Sequence, residues 1–171
     1  MTWKTVYIWY AVIKENSMII IYHCFGGSHS SVTAAAIHLG LISSDKTPSS
    51  DEIMALPYFD KTTDHDFGSL RFMGFDDQNN AVYVLGKKSQ SDRFSNVLMG
   101  IAELLSKKDE VVAVNTMGRV NWSMKLGGFT SRRIGAARFG RPVVLKGTQK
   151  AFWELVNLVE MTKFKILNRA Q

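Results

Sequence analysis

The sequence holds a single cysteine, Cys24, so an intramolecular disulfide and a zinc site built from several cysteines are both excluded. No apolar run approaches the roughly 20 residues that a membrane-spanning helix needs. No repeat, low-complexity tract or long linker divides the 171 residues, a length that suits one domain with a proper core. Apolar residues at 46% against charged residues at 21% give a globular balance rather than a disordered one. A soluble, cytoplasmic protein is the expectation.

Acidic residues are missing from one long stretch. The net charge is +6, but residues 1–118 carry 10 basic and 13 acidic groups while residues 119–171 carry 11 and 2. Between Val111 and Trp153 there is no acidic residue, and that stretch holds Arg119, Lys125, Arg132, Arg133, Arg138, Arg141, Lys146 and Lys150. A like-charged run repels itself unless something anionic lies near it. It reads either as a solvated surface neutralised by the acidic first part or as a site for phosphate, nucleotide, RNA or anionic lipid.

Residues 1–17 read as a dispensable leader. Their apolar stretch, Val6 to Ile13, is too short to cross a bilayer and lacks a small-residue cleavage site behind it. It can instead form a strand joined by the turn Lys14–Ser17 to the next. Lys14-Glu15 is also compatible with a purine-rich ribosome-binding codon pair just ahead of Met18, which suits a natural start at Met18 and a single domain over 18–171.

From Met18 onward strands and helices alternate. Met18–His23 is a continuous apolar run, the pattern of a strand buried on both faces, and is expected at the centre of the sheet. Ser30 to Leu39 reads as an Ala-rich helix stopped by Gly40, and Ser50 can start a short helix ending before Pro57. Leu70–Phe75 and Ala81–Leu85 read as a hairpin across the polar turn Asp76–Asn80. Phe94, Val97, Leu98, Ile101, Leu104 and Leu105 share a helical face. Glu110–Asn115 reads as a strand, Val120–Leu126 as a helix, Pro142–Leu145 as a strand, and Thr148 as the cap of a last helix. The order predicts an α/β fold: a three-layer sandwich, mostly parallel sheet with helices on both faces and one β-hairpin.

The loop after the first strand, His23-Cys24-Phe25-Gly26-Gly27-Ser28-His29-Ser30-Ser31, is the candidate site. Ligands in such sheets bind beyond the carboxyl ends of strands, and helix N-termini offer free N–H groups and partial positive charge. Gly26 and Gly27 allow close backbone approach to an anion, Ser28, Ser30 and Ser31 add hydroxyls, and His29 can add a charge. The bland alternative is a structural strand-to-helix turn. Neither the Gly-Lys-Ser/Thr ending of a nucleotide P-loop nor the three-glycine dinucleotide pattern is present.

His-Cys before a Gly-rich turn and a helix also resembles the cysteine-dependent phosphatase loop. The arginine of that loop is replaced by His29 or Ser30, so Arg119, Arg132 or Arg133 would have to bring the charge. Cys24 and His29 are the candidate reactive groups, Cys24 because a helix N-terminus lowers a thiol pKa. A small buried apolar residue is the alternative role for Cys24. His23, Cys24, His29 and Asp64-His65-Asp66 match no common zinc pattern, and no metal is expected. Asp60, Asp64 and Asp66 can act as a general acid or hold magnesium, though an ordinary solvated loop suits them better. His38 reads as a helix-end or packing residue.

The strings IIIYHCFGGSHSSVTAAAIHLGLI, EIMALPYFD, VNTMGRVNWSMKLGGFTSRRIG and FGRPVVLKGT resemble an uncharacterised domain-of-unknown-function family of spore-forming Gram-positive bacteria. The resemblance carries no established activity. It implies a cytosolic bacterial protein, with a sporulation link suggested by that distribution. Two functions are therefore expected in competition. One is a phosphate- or nucleotide-binding protein of unknown reaction and cofactor, its ligand held by the Gly-rich loop with help from the basic second part. The other is a non-catalytic module for RNA, an anionic surface or a protein partner.

Overall fold

The computed structural model describes residues 17–90, 93–119 and 137–169. Among the described residues four strands, β1 (Ile19–Cys24), β2 (Arg71–Phe75), β3 (Ala81–Gly86) and β4 (Val111–Asn115), form one sheet in the order β2-β3-β1-β4. β1 runs parallel to both β3 and β4, and β2 pairs antiparallel with β3 as the expected hairpin. The uninterrupted Ile19-Ile20-Ile21 run is thus explained: β1 has a strand on each side and is covered on both faces.

Side-chain alternation builds two cores from one sheet. Ile20, Tyr22, Val82, Val84, Val112 and Val114 pack with the helices α1 (Ser30–His38) and α5 (Phe152–Leu167). Ile21, Leu85 and Val111 pack with α3 (Phe94–Leu104) on the opposite face. Helix, sheet and helix make three layers, as the alternation of strands and helices predicts. The short helix α2 (Ser50–Ala55) starts at Ser50, as read from the sequence. Ser49 is its cap, in a reciprocal box with Glu52.

The last third differs from the sequence reading. Pro142–Leu145 is not a strand but lies within α4 (Ala137–Lys150). Val144, Gly147, Thr148 and Ala151 are all buried, a helical rather than a two-residue period. Thr148 does not cap the last helix either. It sits inside α4 and donates its hydroxyl back to the Val144 carbonyl at 2.9 Å, while Ala151 precedes α5. On α3, Phe94, Leu98 and Ala102 turn to the sheet, whereas Val97, Ile101, Leu104 and Leu105 are exposed, so the apolar stripe is wider than the face it buries. The expected leader, apart from Ser17, and the expected helix Val120–Leu126 lie outside the described residues.

His38, at the end of α1, is tied into the core. Its ring bonds Tyr22 Oη at 2.8 Å through Nδ1 and the Asp76 carboxylate at 3.1 Å through Nε2. A carboxylate only accepts, so Nε2 carries the proton and Nδ1 accepts from the tyrosine hydroxyl. Burial lowers the His38 pKa, and the Asp76 carboxylate only partly offsets it. A depressed histidine stabilises the fold above its unfolded value of about 6.5, and that share is lost as pH falls below it. Denaturant unfolding between pH 8 and pH 5 should therefore lose stability more steeply in the natural chain than in His38→Gln. Parallel profiles would refute the role.

Candidate functional site

β1 ends at Cys24 and the chain turns through residues 25–29 into α1. Of residues 24–31 only Phe25 is exposed. The turn is pressed against the end of β3. Gly27 has φ +63°, and a Cβ there would lie 2.5 Å from the Gly86 nitrogen; a Cβ on Gly86 would lie 2.8 Å from the Gly26 carbonyl oxygen. The glycines thus let two backbones meet, a requirement prior to any ligand.

Donors gather on the Cys24 sulfur. The Gly27 N–H reaches Sγ at 3.1 Å and the Ser31 hydroxyl lies 3.2 Å away. Burial pushes the thiol up, but hydrogen bonds from the Ser31 side chain and backbone, the Ser30 hydroxyl and Gly27 outweigh it and hold the thiol below its ordinary range. The loop therefore favours negative charge at this position. Ser30 also bonds the Thr116 hydroxyl at 2.8 Å, joining the loop to the segment just after β4. His29 occupies the cap position of α1 without a side-chain cap bond.

His29 Nε2 instead meets Asp60 Oδ1 at 3.2 Å, and its ring packs edge-on to Phe59 at 5.3 Å. The other oxygen of Asp60 accepts from Arg141 Nε at 2.9 Å. Burial raises the Asp60 pKa, yet the bonds from His29 and Arg141 win and take it down to about 2. The segment is bent to reach there: Tyr58 and Asp60 have φ of +62° and +54°, and the Asp60 N–H donates to the Ser28 carbonyl at 3.1 Å.

Arg71, at the start of β2, completes the surroundings. Its Nη2 donates to the Gly27 carbonyl and to the Thr62 hydroxyl, and its guanidinium stacks 4.8 Å from the centre of the Tyr58 ring. Burial lowers its pKa, opposed by Asp66, Tyr58 and Cys24.

The structure brings together Cys24, Gly26, Gly27, Ser28, His29, Ser30 and Ser31. Arg119 closes a short 3-10 turn, Met117–Arg119, following the β4 end that lies beside the loop. Its side chain, and Arg132 and Arg133 entirely, lie outside the described residues. The basic group from the acid-free stretch that is seen to arrive is Arg141, through Asp60. Asp60 is therefore no ordinary solvated loop residue; Asp66 instead closes its own turn by accepting from the Thr63 N–H. Asp60, Arg71 and Thr116 were missed as loop partners because each is distant in sequence. A faint signal existed for Arg71, an arginine opening an otherwise apolar strand.

A family model described as a protein of unknown function, DUF3189, matches residues 19–164. The chain belongs to the DUF3189 family. That match spans the whole described sheet and the loop after β1. Comparison with curated proteins and with solved structures gives no match. Among the described residues of this DUF3189 chain, no helix is long and apolar enough to cross a membrane.

Proposed function

We propose that this DUF3189 protein binds the phosphate group of a small phosphorylated ligand or nucleotide at the Cys24–Ser31 loop. One observation carries the reading: the Gly27 N–H and the Ser31 hydroxyl converge on the buried Cys24 sulfur at 3.1 and 3.2 Å, an arrangement of donors suited to negative charge. Its position supports it, beyond the carboxyl end of an interior parallel strand and at the N-terminus of a nine-residue helix. Gly26, Gly27, Ser28, Ser30 and Ser31 are the proposed binding residues, with Arg119, Arg132 and Arg133 as candidate contributors from the basic part. The motif strings support a cytosolic setting in a spore-forming Gram-positive bacterium, where sporulation is the process to examine. Calorimetric titration with inorganic phosphate and with nucleotides tests binding. Saturation by one small anion supports the reading. No binding, together with RNA binding that weakens steeply with salt, would support the basic-module alternative.

The lowered thiol favours a second reading, in which Cys24 attacks a phosphate monoester. The S–P bond forms as the P–O bond to the leaving group breaks, His29 held by Asp60 passes a proton to the departing oxygen, and water later cleaves the S–P bond. Hydrolysis of an aryl phosphate, lost in Cys24→Ser, tests it.

The thiolate itself is measurable because there is one cysteine. Thiolate absorbance against pH should show a midpoint below the usual value of about 8.5. Ser31→Ala should move it upward, and an unchanged midpoint would show that the Ser31 bond does not hold the charge.

A further inference from the structure

Arg71 is a half-buried cation with no ion-pair partner among the described residues. The nearby Asp66 carboxylate acts on it only across a distance, and its Nη2 is spent on a neutral carbonyl and a neutral hydroxyl. Its Nε is buried with no hydrogen-bond partner. A guanidinium withdrawn from water is costly unless an anion meets it. One residue from its Gly27 contact, the fully buried Ser28 Oγ also lacks a partner. The unpartnered serine hydroxyl thus lies one residue along the loop from the glycine that Arg71 contacts, and buried polar groups without partners are uncommon in a folded interior.

We infer that Arg71 is a phosphate-binding residue acting beside Ser28, supplying from β2 a guanidinium that the loop itself does not contain. The inference rests on the reading of the Cys24–Ser31 loop as a phosphate seat. His29 or Ser30 stands where the phosphatase-like loop would place its arginine; the first is paired with Asp60 and the second is engaged with Thr116. Arg71 reaches the same loop through the Gly27 carbonyl and interacts with Cys24 through its charge. With Nη2 engaged, its Nε–H is left to donate to a phosphate oxygen, a donor that a lysine would not place there. Tyr58 stacked on the guanidinium fixes its plane.

The test is titration of the full chain with inorganic phosphate at low salt, with melting temperature recorded for each variant. Arg71→Ala should weaken binding about tenfold or more, and Arg71→Lys should recover part of it. Ser28→Ala should weaken binding several-fold while leaving the melting temperature equal or higher, since it removes a buried hydroxyl that has no partner. A purely structural serine would not give that opposition. If the natural chain binds phosphate and these variants bind it equally, the inference is overturned while the loop reading stands. If Arg71→Ala does not fold, Arg71→Lys and Ser28→Ala decide, and unchanged affinity in both overturns it. If the natural chain binds no phosphate, the loop reading fails and the inference with it. Cys24→Ser separates the remaining possibility: phosphate affinity that no longer depends on Arg71 in that background would show that its counter-charge is the thiolate, and would also overturn the inference.

Discussion

Gly27→Ala is expected to destabilise the protein by about 3 kcal/mol, lowering the melting temperature by roughly 10 °C for a domain of this size. Two effects add. The left-handed φ of +63° costs an L-residue about 1–2 kcal/mol. The new methyl would also lie 2.5 Å from the Gly86 nitrogen and 2.8 Å from the Leu85 carbonyl carbon, backbone atoms that no rotamer change can move. Gly40→Ala separates the two, because Gly40 has φ +66° and nothing within 4 Å of its Cβ position. It should lose only the conformational part, about 1 kcal/mol. Equal melting temperatures for the two variants would show that the loop does not press on β3. Loss of ligand binding in a Gly27 variant would therefore report a displaced loop and not a lost contact. Arg71 and Ser28, whose side chains can be shortened without such a clash, are the better probes.

Much of this was legible in short-range pattern. The Ile19–Ile21 run identified an interior strand because only a strand covered on both faces tolerates unbroken apolar residues. The polar turn between Phe75 and Ala81 identified the hairpin, and His23–Ser31 identified the strand-to-helix loop. Failures occurred where local and distant forces differ. Val143-Val144-Leu145 reads as strand by composition, but the buried set Val144, Thr148 and Ala151 fits a helix, and packing of that face overrides the β preference. The site was legible only as its own loop. Nothing in the spacing of Asp60 or Arg71 relates them to Ser28 or Gly27, since the register of β2 on β3 and the bent backbone at Tyr58 and Asp60 bring them there. The one available hint was an arginine opening an otherwise apolar strand, which the structure sets opposite the buried Val84.

Asp60→Asn should remove about 1 kcal/mol of the protein's stability at neutral pH, together with the share of its acid sensitivity that this carboxylate contributes. The side chain of Asp60 is only 7% exposed, and both oxygens are engaged, by His29 and by Arg141. Asparagine keeps the shape and tolerates the left-handed φ of +54°, so the change isolates charge and hydrogen bonding. Its amide has one acceptor oxygen, and its NH2 group would face a donor on one side. The sign with pH follows from the folded pKa of about 2, well below the ordinary 3.8. A carboxylate lowered by folding stabilises fully above its unfolded pKa, and that stability is lost as pH falls from about 4 through about 2. The shift corresponds to about 2 kcal/mol, reduced toward about 1 because Arg141 is half exposed and solvent screens its share. Denaturant unfolding of both proteins at pH 7, 4, 3 and 2 measures it, with their difference cancelling the other carboxylates. The gap should be widest at pH 7 and close as pH falls toward 2. A constant gap at all four values would mean that Asp60 contributes through its hydrogen-bond pattern and not through its charge.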